Sequence, residues 1–267
     1  MPELPEIETV KRSLSDQLIG KRLIQAHPYR KGLRVDFPDF SPVLGQKVQS
    51  VSRRSKYLLL VFPAGTLLIH LGMSGSISWG QGEPEKHDHL DLIFSDLDRP
   101  LRLRDPRRFG SVQFQPTGTI HKSLAHLGPE PLSEDFTGSV LHSRLKDRKT
   151  PVKVSLMDAS VVVGVGNIYA TEALFRSGID PRASSGSISL SQYVGLVSNV
   201  KDVLNEGIAN GGSTLRDFHG VEGQEGTFPS SFKVYGRSGQ PCVICGTVLS
   251  SVQLGGRTSV FCQSCQK

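Results

Sequence analysis

The sequence predicts a multidomain α+β protein, with a leading helix, a β-rich part, a helical middle part and a small cysteine-rich hairpin. Three observations predict this fold class. Apolar residues recur at helical spacing over the first 18 positions. Short β-like runs separated by turn residues follow between positions 47 and 114, a pattern that favours a sandwich or barrel. All four cysteines lie between positions 242 and 265.

The leading helix is predicted to run from Leu4 to about Leu18 and to end at Gly20. Proline suits a first helical turn because its missing N–H would be unpaired there, and acids complement the helix dipole. The opening of the chain contains both kinds of residue, the prolines Pro2 and Pro5 and the acids Glu3 and Glu6. A purely structural explanation of this opening therefore stays possible.

The β-rich part is predicted from five runs that are rich in aliphatic residues. They are "KVQSVSRRSKYLLLVF" (47–62), "TLLIH" (66–70), "LDLIF" (90–94), "LRLR" (101–104) and "SVQF" (111–114). The proline-containing stretch 126–136 then indicates a connection between domains.

The helical part is predicted from its start and stop signals. Ser133 is expected to cap a segment that ends near Lys149, and Thr150–Pro151 to open the next helix. A break at "GVGN" (164–167) precedes a helix over 168–178. A capping box formed by Ser189 and Gln192 starts a longer helix that stops at 211–212. Residues 213–231 are expected to form a glycine-rich loop.

The cysteines have the spacing of a zinc site. Two Cys-x2-Cys pairs are separated by 16 residues, and four thiolates close a tetrahedral structural site without an open position. Two disulfides are the alternative, which a reducing compartment disfavours. We therefore predict one structural Zn²⁺ held by Cys242, Cys245, Cys262 and Cys265. The stretch "QLGGR" (253–257) between the two pairs indicates a hairpin turn.

The overall charge suggests a polyanionic partner. The formal net charge is +6, and residues 232–267 contain four basic side chains and no acid. No run approaches the roughly 18 apolar residues of a membrane span. The acidic N-terminus does not resemble a signal peptide, so we expect an intracellular protein.

Two stretches suit contact with phosphates, although each also has a plain structural explanation. In "GVGN", glycines before a helix start can expose N–H groups that attract phosphate, or can simply form a turn between packed helices. In "RLRDPRRFG" (102–110), clustered arginines beside Phe109 can bind phosphates while the ring wedges between bases. The same stretch can be a solvated basic turn.

The N-terminal residues also suggest covalent chemistry. If Met1 is removed, Pro2 carries a secondary amine at the chain terminus. Because α-amino groups titrate near 8, against about 10.4 for lysine, such an amine is far more often unprotonated at neutral pH. A free amine can attack sugar C1′ and form an iminium ion, and Glu3 can supply a proton.

A series of motifs covers essentially the whole chain. In order, they are "PELPEIETV", "KYLLL", "HLGMSGS", "EKHDHLDL", "DPRRFG", "HLGPEPL", "VVGVGNIYATEALF", "GGSTLRDF", "VYGRSGQPC" and the four-cysteine finger. In these motifs and in their order the sequence resembles the bacterial formamidopyrimidine-DNA glycosylase family, whose members are also called 8-oxoguanine DNA glycosylases. The related endonuclease VIII group usually has glycine where this chain has Leu4, which favours the purine branch.

The resemblance implies a role for each matching position. Pro2 corresponds to the Schiff-base nucleophile and Glu3 to the proton donor, while Lys56 and Arg257 assist β- and δ-elimination. Met73, Arg107 and Phe109 fill the space left by the flipped nucleotide, and Glu6 and the loop 215–227 border the damaged base. The DNA-binding positions are His87, Arg107, Arg148, Lys153 and Asn167; Arg148 stands where lysine is expected.

The resemblance further implies an N-terminal β-sandwich with a leading helix (1–130), a helix–two-turn–helix DNA-binding domain with the lesion-side loop (131–231), and a C-terminal zinc β-hairpin with four cysteine ligands (232–267). The implied enzyme is a bifunctional glycosylase and abasic-site lyase for oxidised purines in double-stranded DNA. We expect a cytoplasmic, nucleoid-associated monomer. The alternatives are an endonuclease VIII-like enzyme for oxidised pyrimidines and a zinc-finger DNA-binding protein without catalysis.

Overall fold

A computed structural model of the chain describes residues 2–213, 221 and 232–267. The described chain divides into two compact units. Unit 1 comprises Met1–Ala125 and Ile208–Pro229, and unit 2 comprises His126–Gly207 and Ser230–Lys267. The division into 1–130, 131–231 and 232–267 stays a prediction.

Within its described residues, unit 1 contains a leading helix, eight strands and a short helix. They are α1 (Leu4–Leu18), β1 (Leu23–Pro28), β2 (Ser50–Arg54), β3 (Tyr57–Phe62), β4 (Gly65–His70), β5 (Ser76–Trp79), β6 (Asp88–Phe94), β7 (Leu101–Arg104), β8 (Ser111–Pro116) and α2 (Lys122–Ala125).

The strands of unit 1 form two four-stranded antiparallel sheets, with the orders β1-β6-β7-β5 and β2-β3-β4-β8. One hydrophobic cluster contains side chains of both sheets and of α1, so the predicted β-sandwich with a leading helix is confirmed. The helix contributes Ile7, Val10 and Leu14, which are almost fully buried because they recur on one face.

The β-part differs from the sequence prediction in its details. The run 47–62 is two strands, since Ser55 has φ 57° and turns the chain between β2 and β3. The sequence analysis did not predict two further strands, β1 and β5. In β1 only the first residue, Leu23, is fully buried, so this strand lacks an alternating apolar pattern.

In the part of unit 2 that the structure describes there are four α-helices and a hairpin, and the last helix continues into unit 1. They are α3 (Gly138–Leu145), α4 (Val152–Leu156), α5 (Asn167–Arg176), α6 (Leu190–Ala209), β9 (Ser250–Leu254) and β10 (Arg257–Phe261). The capping box at α6 is confirmed, because Ser189 N–H donates to Gln192 Oε1 and Gln192 N–H to Ser189 Oγ. Glycines at 255 and 256, with φ of 55° and 71°, form the predicted hairpin turn.

Two predicted helix starts are wrong. Ser133 caps no helix, because its hydroxyl donates to the Glu130 carbonyl in a turn; the cap of α3 is Thr137, which accepts from Val140 N–H at 3.2 Å. Pro151 does not open α4 as its first helical residue. It is extended, with ψ 135°, and pairs with Ser184, so α4 begins at Val152.

Within the described residues, the longest and most apolar helices still fall short of what a membrane crossing requires.

Candidate active site

The start of α1 holds Pro2 and Glu3 in a buried setting. Pro2 precedes the helix cap, Glu3 is the cap residue, and both are buried. The Glu6 carboxylate accepts the Glu3 N–H at 2.7 Å on one oxygen. Its other oxygen accepts the N–H and the hydroxyl of Ser213, at 2.6 and 2.8 Å. Glu6 thus fixes both the helix start and the chain that follows α6.

The β2–β3 turn positions Lys56, which is half-buried and follows the turn residue Ser55. His70, at the end of β4, pairs in register with Tyr57. Burial, together with the positive charges of Lys56 and Arg34, lowers the pKa of His70 to about 4. A neutral imidazole therefore lies beside the Lys56 ammonium at neutral pH.

Two turns of unit 1 meet through a glycine. A Cβ at Gly72, whose φ is 64°, would lie 2.5 Å from the Gly110 nitrogen, so only glycine permits this approach. The contact joins the turn that carries Met73 to the turn 105–110. In the latter, Arg107 and Phe109 are exposed and the guanidinium lies 5.0 Å from the ring centroid.

Asp105, which the sequence patterns do not single out, organises this region. Its fully buried carboxylate accepts the Ser74 hydroxyl and the Gly110 N–H, each at 2.8 Å. Its backbone N–H donates to the carbonyl of half-buried His87. The only sequence signal was its place before proline in "DPRRFG", where aspartate is a common turn residue.

In unit 2, Lys153 is completely buried and its ammonium has three protein acceptors. The Nζ atom lies 2.7 Å from Asn167 Oδ1, 2.6 Å from Ser259 Oγ and 3.3 Å from the Thr258 carbonyl oxygen. Lys153 therefore joins α4 to the first residue of α5 and to strand β10.

The two arginines of unit 2 that the sequence predicts as site residues are exposed. Arg257 is exposed at the start of β10, directly before the two residues that bind Lys153. Arg148 is exposed and pairs with Asp158 at 3.2 Å. Gly166 caps α5, so half-buried Asn167 is the first helical residue after "GVG".

The four cysteines of the hairpin region form a cluster whose sulfur atoms all lie within 4.8 Å of one another. Two of the separations are 3.9 Å (Cys242–Cys265) and 3.4 Å (Cys245–Cys262). Sulfurs at the corners of a tetrahedron with Zn–S bonds of about 2.3 Å lie about 3.8 Å apart. The residues therefore fit one structural Zn²⁺, as predicted.

Glu172 is a second residue that sequence reasoning missed. Its buried carboxylate accepts the backbone N–H groups of Lys233, Val234 and Tyr235 at 2.8–3.0 Å. It thereby fixes the chain that leads into the zinc hairpin. Its position within the apolar run "IYATEALF" was the available signal, since a buried acid there needs donors.

The structure thus brings the turn that carries Met73 against the turn that carries Arg107 and Phe109 in unit 1, and joins Lys153 to Asn167 in unit 2. The predicted lesion-side loop 215–227 lies outside the described residues except for Val221.

Comparison with known proteins accounts for almost the whole chain. Residues 1–112 match the family Formamidopyrimidine-DNA glycosylase N-terminal domain, and residues 127–219 match Formamidopyrimidine-DNA glycosylase H2TH domain. Residues 239–267 match Zinc finger found in FPG and IleRS. Formamidopyrimidine-DNA glycosylases of Hahella chejuensis and Acidithiobacillus ferrooxidans are 47% and 48% identical, with 100% of each chain covered. This chain belongs to the formamidopyrimidine-DNA glycosylase family.

Solved structures of formamidopyrimidine-DNA glycosylases agree with the fold. The Thermus thermophilus MutM (FPG) protein is 36% identical, with a TM-score of 0.91 over 99% of this chain and 98% of that one. A Lactococcus lactis FPG variant in complex with a Fapy-dG containing DNA is 30% identical, with a TM-score of 0.92 over 100% of both chains. The predicted family, fold class and enzyme class are confirmed.

Proposed function

We propose that this chain removes oxidised purines, such as 8-oxoguanine and formamidopyrimidines, from double-stranded DNA and then cleaves the resulting abasic site by β,δ-elimination. The observation that supports this most strongly is the full-length match to formamidopyrimidine-DNA glycosylases, together with Pro2 and Glu3 at the start of α1. The chain is therefore a base excision repair enzyme whose partner is damaged DNA.

The covalent step belongs to Pro2. After removal of Met1, its secondary amine attacks C1′ of the damaged nucleotide while the base departs with a proton from Glu3. The adduct loses the amine proton, and its C1′–O4′ bond breaks while O4′ takes up a proton, which gives the iminium ion. A proton is then lost from C2′, its electron pair moves towards the iminium, and the C3′–O bond breaks. A second elimination breaks the C5′–O bond. We assign support of the first elimination to Lys56 and of the second to Arg257.

Base flipping leaves a gap in the duplex. Extruding a base costs a few kcal/mol, and side chains that enter the gap offset part of that cost. The exposed pair Arg107 and Phe109, with Met73 on the adjoining turn, has the chemistry for this role. We place Arg107 opposite the estranged base.

Contacts with the DNA backbone are assigned to His87 in unit 1 and to Arg148, Lys153 and Asn167 in unit 2. Because the Lys153 ammonium is buried with three protein acceptors, we propose that it acts by holding Asn167. Its contribution to DNA binding is then indirect. Arg148 is exposed and can exchange Asp158 for phosphate.

Glu6 and the loop 215–227 are assigned to the pocket of the damaged base. Since Glu6 is buried and accepts three hydrogen bonds from Glu3 and Ser213, we propose that it positions the pocket.

The zinc ion, when bound by the four cysteines, supplies structural support to the hairpin that presents Arg257. We further propose a cytoplasmic, nucleoid-associated monomer with domains at 1–130, 131–231 and 232–267.

The proposal is tested with duplexes that contain 8-oxoguanine, a formamidopyrimidine, an oxidised pyrimidine or an abasic site. We expect excision of the purine lesions, strand cleavage with both sugar–phosphate bonds broken, and a borohydride-trapped complex on abasic DNA. Pro2→Gly should lose trapping while lesion-duplex binding stays within a few-fold of wild type. N-terminal mass measurement should show that active enzyme lacks Met1.

Preferential excision of pyrimidine lesions would place the chain in the endonuclease VIII-like class instead. Strand cleavage without a trapped intermediate, or full activity in protein that retains Met1, would refute the assigned nucleophile.

A further inference from the structure

Gln266, directly after the last cysteine, fixes the end of β10 that leads into the cysteine cluster. Its side chain is 3% exposed. The side-chain oxygen accepts the N–H of Cys262, the first residue after β10, at 2.9 Å. The side-chain NH₂ group donates to the carbonyl oxygen of Ile179 at 2.8 Å. One buried amide thus joins the end of this strand to the turn that follows α5.

The turn after α5 is itself held in place. Ile179 is buried, and its backbone N–H donates to the carbonyl of Leu174 within α5 at 3.0 Å. The Gly178 carbonyl accepts the N–H of Lys267 at 2.9 Å, and the Lys267 carbonyl accepts the N–H of Asp180 at 3.2 Å. The turn is therefore a fixed base for the residues that follow β10.

An arginine next to this turn covers the last residue of β10. The guanidinium of Arg182 lies 4.6 Å from the centroid of the buried Phe261 ring. The Asp180 carboxylate accepts two hydrogen bonds from this guanidinium, at 2.6 and 3.0 Å. The chain is therefore attached at two successive residues, Phe261 and Cys262.

Arg257 lies at the opposite end of the same strand. There the strand is held by Lys153, whose ammonium binds the Thr258 carbonyl oxygen and the Ser259 hydroxyl. Since a strand rises about 3.3 Å per residue, the two attachments lie roughly 10 Å apart. Two separated attachments fix the direction of a strand, whereas one leaves it free to turn about that point. The attachment through Gln266 therefore contributes to the direction in which exposed Arg257 is presented.

We propose that Gln266 is a positioning residue for the second elimination, because it fixes the far end of β10 and so orients the strand that presents Arg257. This inference rests on the proposed function, which assigns the second elimination to Arg257. Base excision and the first elimination are assigned to Pro2, Glu3 and Lys56, which belong to unit 1. These two steps should not depend on Gln266.

The test is Gln266→Met, which keeps the length of the side chain and removes both hydrogen bonds. On abasic duplex DNA we expect the second elimination to slow at least about tenfold, since a misplacement of 1 Å can cost about a hundredfold in rate. The first elimination and borohydride trapping should stay within about twofold of wild type, because they need only the amine and its neighbours in unit 1. The product with only the C3′–O bond broken should therefore accumulate.

Two measurements on the zinc-loaded protein separate loss of position from loss of metal. Native mass spectrometry should find one Zn²⁺ per chain in Gln266→Met, as in wild type. Hydrogen exchange of residues 257–267 should be faster in the variant, since the strand end has lost an attachment. Loss of the zinc ion would contradict the inference, because Gln266 would then maintain the metal site. Unchanged exchange would contradict it too.

A double variant shows whether Gln266 acts through Arg257. The second elimination should be no slower in Arg257→Ala/Gln266→Met than in Arg257→Ala alone, whereas two independent effects would add. Additive slowing would therefore overturn the inference. Wild-type second elimination by Arg257→Ala would instead refute the assignment of Arg257, so failure of the proposed function is distinguishable.

Two further variants complete the test. Gln263→Met makes the same change at an exposed glutamine between Cys262 and Cys265, and should behave as wild type. Arg182→Ala removes the cation over Phe261 and tests the same attachment if Gln266→Met fails to fold; it too should slow the second elimination alone. A wild-type ratio of the two eliminations in Gln266→Met, or in Arg182→Ala where it takes that place, would overturn the inference.

Discussion

Glu6 shows how one buried side chain can order several parts of a site. Ordinarily an acid in the first helical turn is favourable because it faces the positive end of the helix dipole. Glu6 does more, because its carboxylate is 1% exposed and satisfies two backbone donors and one hydroxyl. An acceptor on both oxygens is therefore essential at this position.

Glu6→Gln tests that requirement. One carboxylate oxygen becomes an NH₂ group, so at least one N–H of Glu3 or Ser213 loses its acceptor and faces another donor. We expect the free energy of unfolding to fall by about 1–3 kcal/mol, the usual cost of a buried group left unsatisfied. Urea unfolding measures it. Asp16→Asn, at an exposed position of the same helix, should change stability by less than about 0.5 kcal/mol.

His70 makes stability depend on pH in a definite direction. Its pKa is about 4 in the folded protein, below the ordinary value of 6.5, so the unfolded chain binds more protons between these values. The stability that the neutral form of His70 contributes is fully present above pH 6.5 and is lost as the pH falls towards 4. The loss between pH 7 and pH 5 is at most about 2 kcal/mol.

His70→Asn isolates this contribution. The amide oxygen can accept the Gly72 N–H that the imidazole accepts at 3.1 Å, but it does not titrate. We expect the pH 7 to pH 5 difference in unfolding free energy to be smaller in the variant. Burial also lowers the pKa values of His89 and His121, so part of the difference remains. An identical pH dependence in both proteins would contradict the assignment.

At the scale of elements, the helices α4 and α5 and the strand β10 share one buried cation. Lys153 is 0% exposed, which lysine tolerates only when its charge is well paired with acceptors. Asn167, Thr258 and Ser259 provide them. The zinc hairpin is thereby tied to the helix that follows "GVGN" by hydrogen bonds as well as by packing.

Lys153→Met keeps most of the buried volume and removes the donor. Each acceptor left unsatisfied costs about 1–3 kcal/mol, so we expect marked destabilisation in urea unfolding. DNA affinity should fall as well, because Asn167 and the neighbourhood of Arg257 lose their support. Lys149→Met, at an exposed lysine of unit 2, is the matched control. Equal stability of the two variants would show that the three contacts contribute nothing.

The sequence predicted elements well where pattern and local chemistry agree. The periodic helix α1, the capping box of α6 and the hairpin turn at 255–256 were all found. It failed where tertiary pairing overrides local signals, as at Pro151, which pairs with Ser184. The roles of the buried acids Asp105 and Glu172 were missed for the same reason. Their hydrogen-bond donors include Ser74 and Lys233, which are distant in sequence from the acids that accept from them.

At the scale of the whole molecule, the net charge of +6 indicates binding to a polyanion. The net charge is unevenly distributed, since residues 232–267 carry four basic residues and no acid. Phosphate contacts release counterions from DNA. The logarithm of the DNA-binding constant should therefore fall linearly with the logarithm of the salt concentration, with a slope of about −0.9 per phosphate contacted. Contacts with bases contribute to affinity without adding to this slope.

Three arginine-to-alanine variants use that distinction. Arg148→Ala should weaken binding and reduce the salt slope by about 1, because it removes an exposed guanidinium that we propose binds phosphate. Arg107→Ala should weaken binding to a lesion duplex while its slope changes less, because the proposal places this side chain opposite a base. Arg12→Ala removes an exposed arginine that pairs with Glu8 and has no proposed role in DNA binding, and should alter neither quantity. Fluorescence anisotropy between about 50 and 200 mM salt, the range over which phosphate contacts separate clearly, measures all three. A full unit of slope lost in Arg107→Ala, with none lost in Arg148→Ala, would exchange the two assignments.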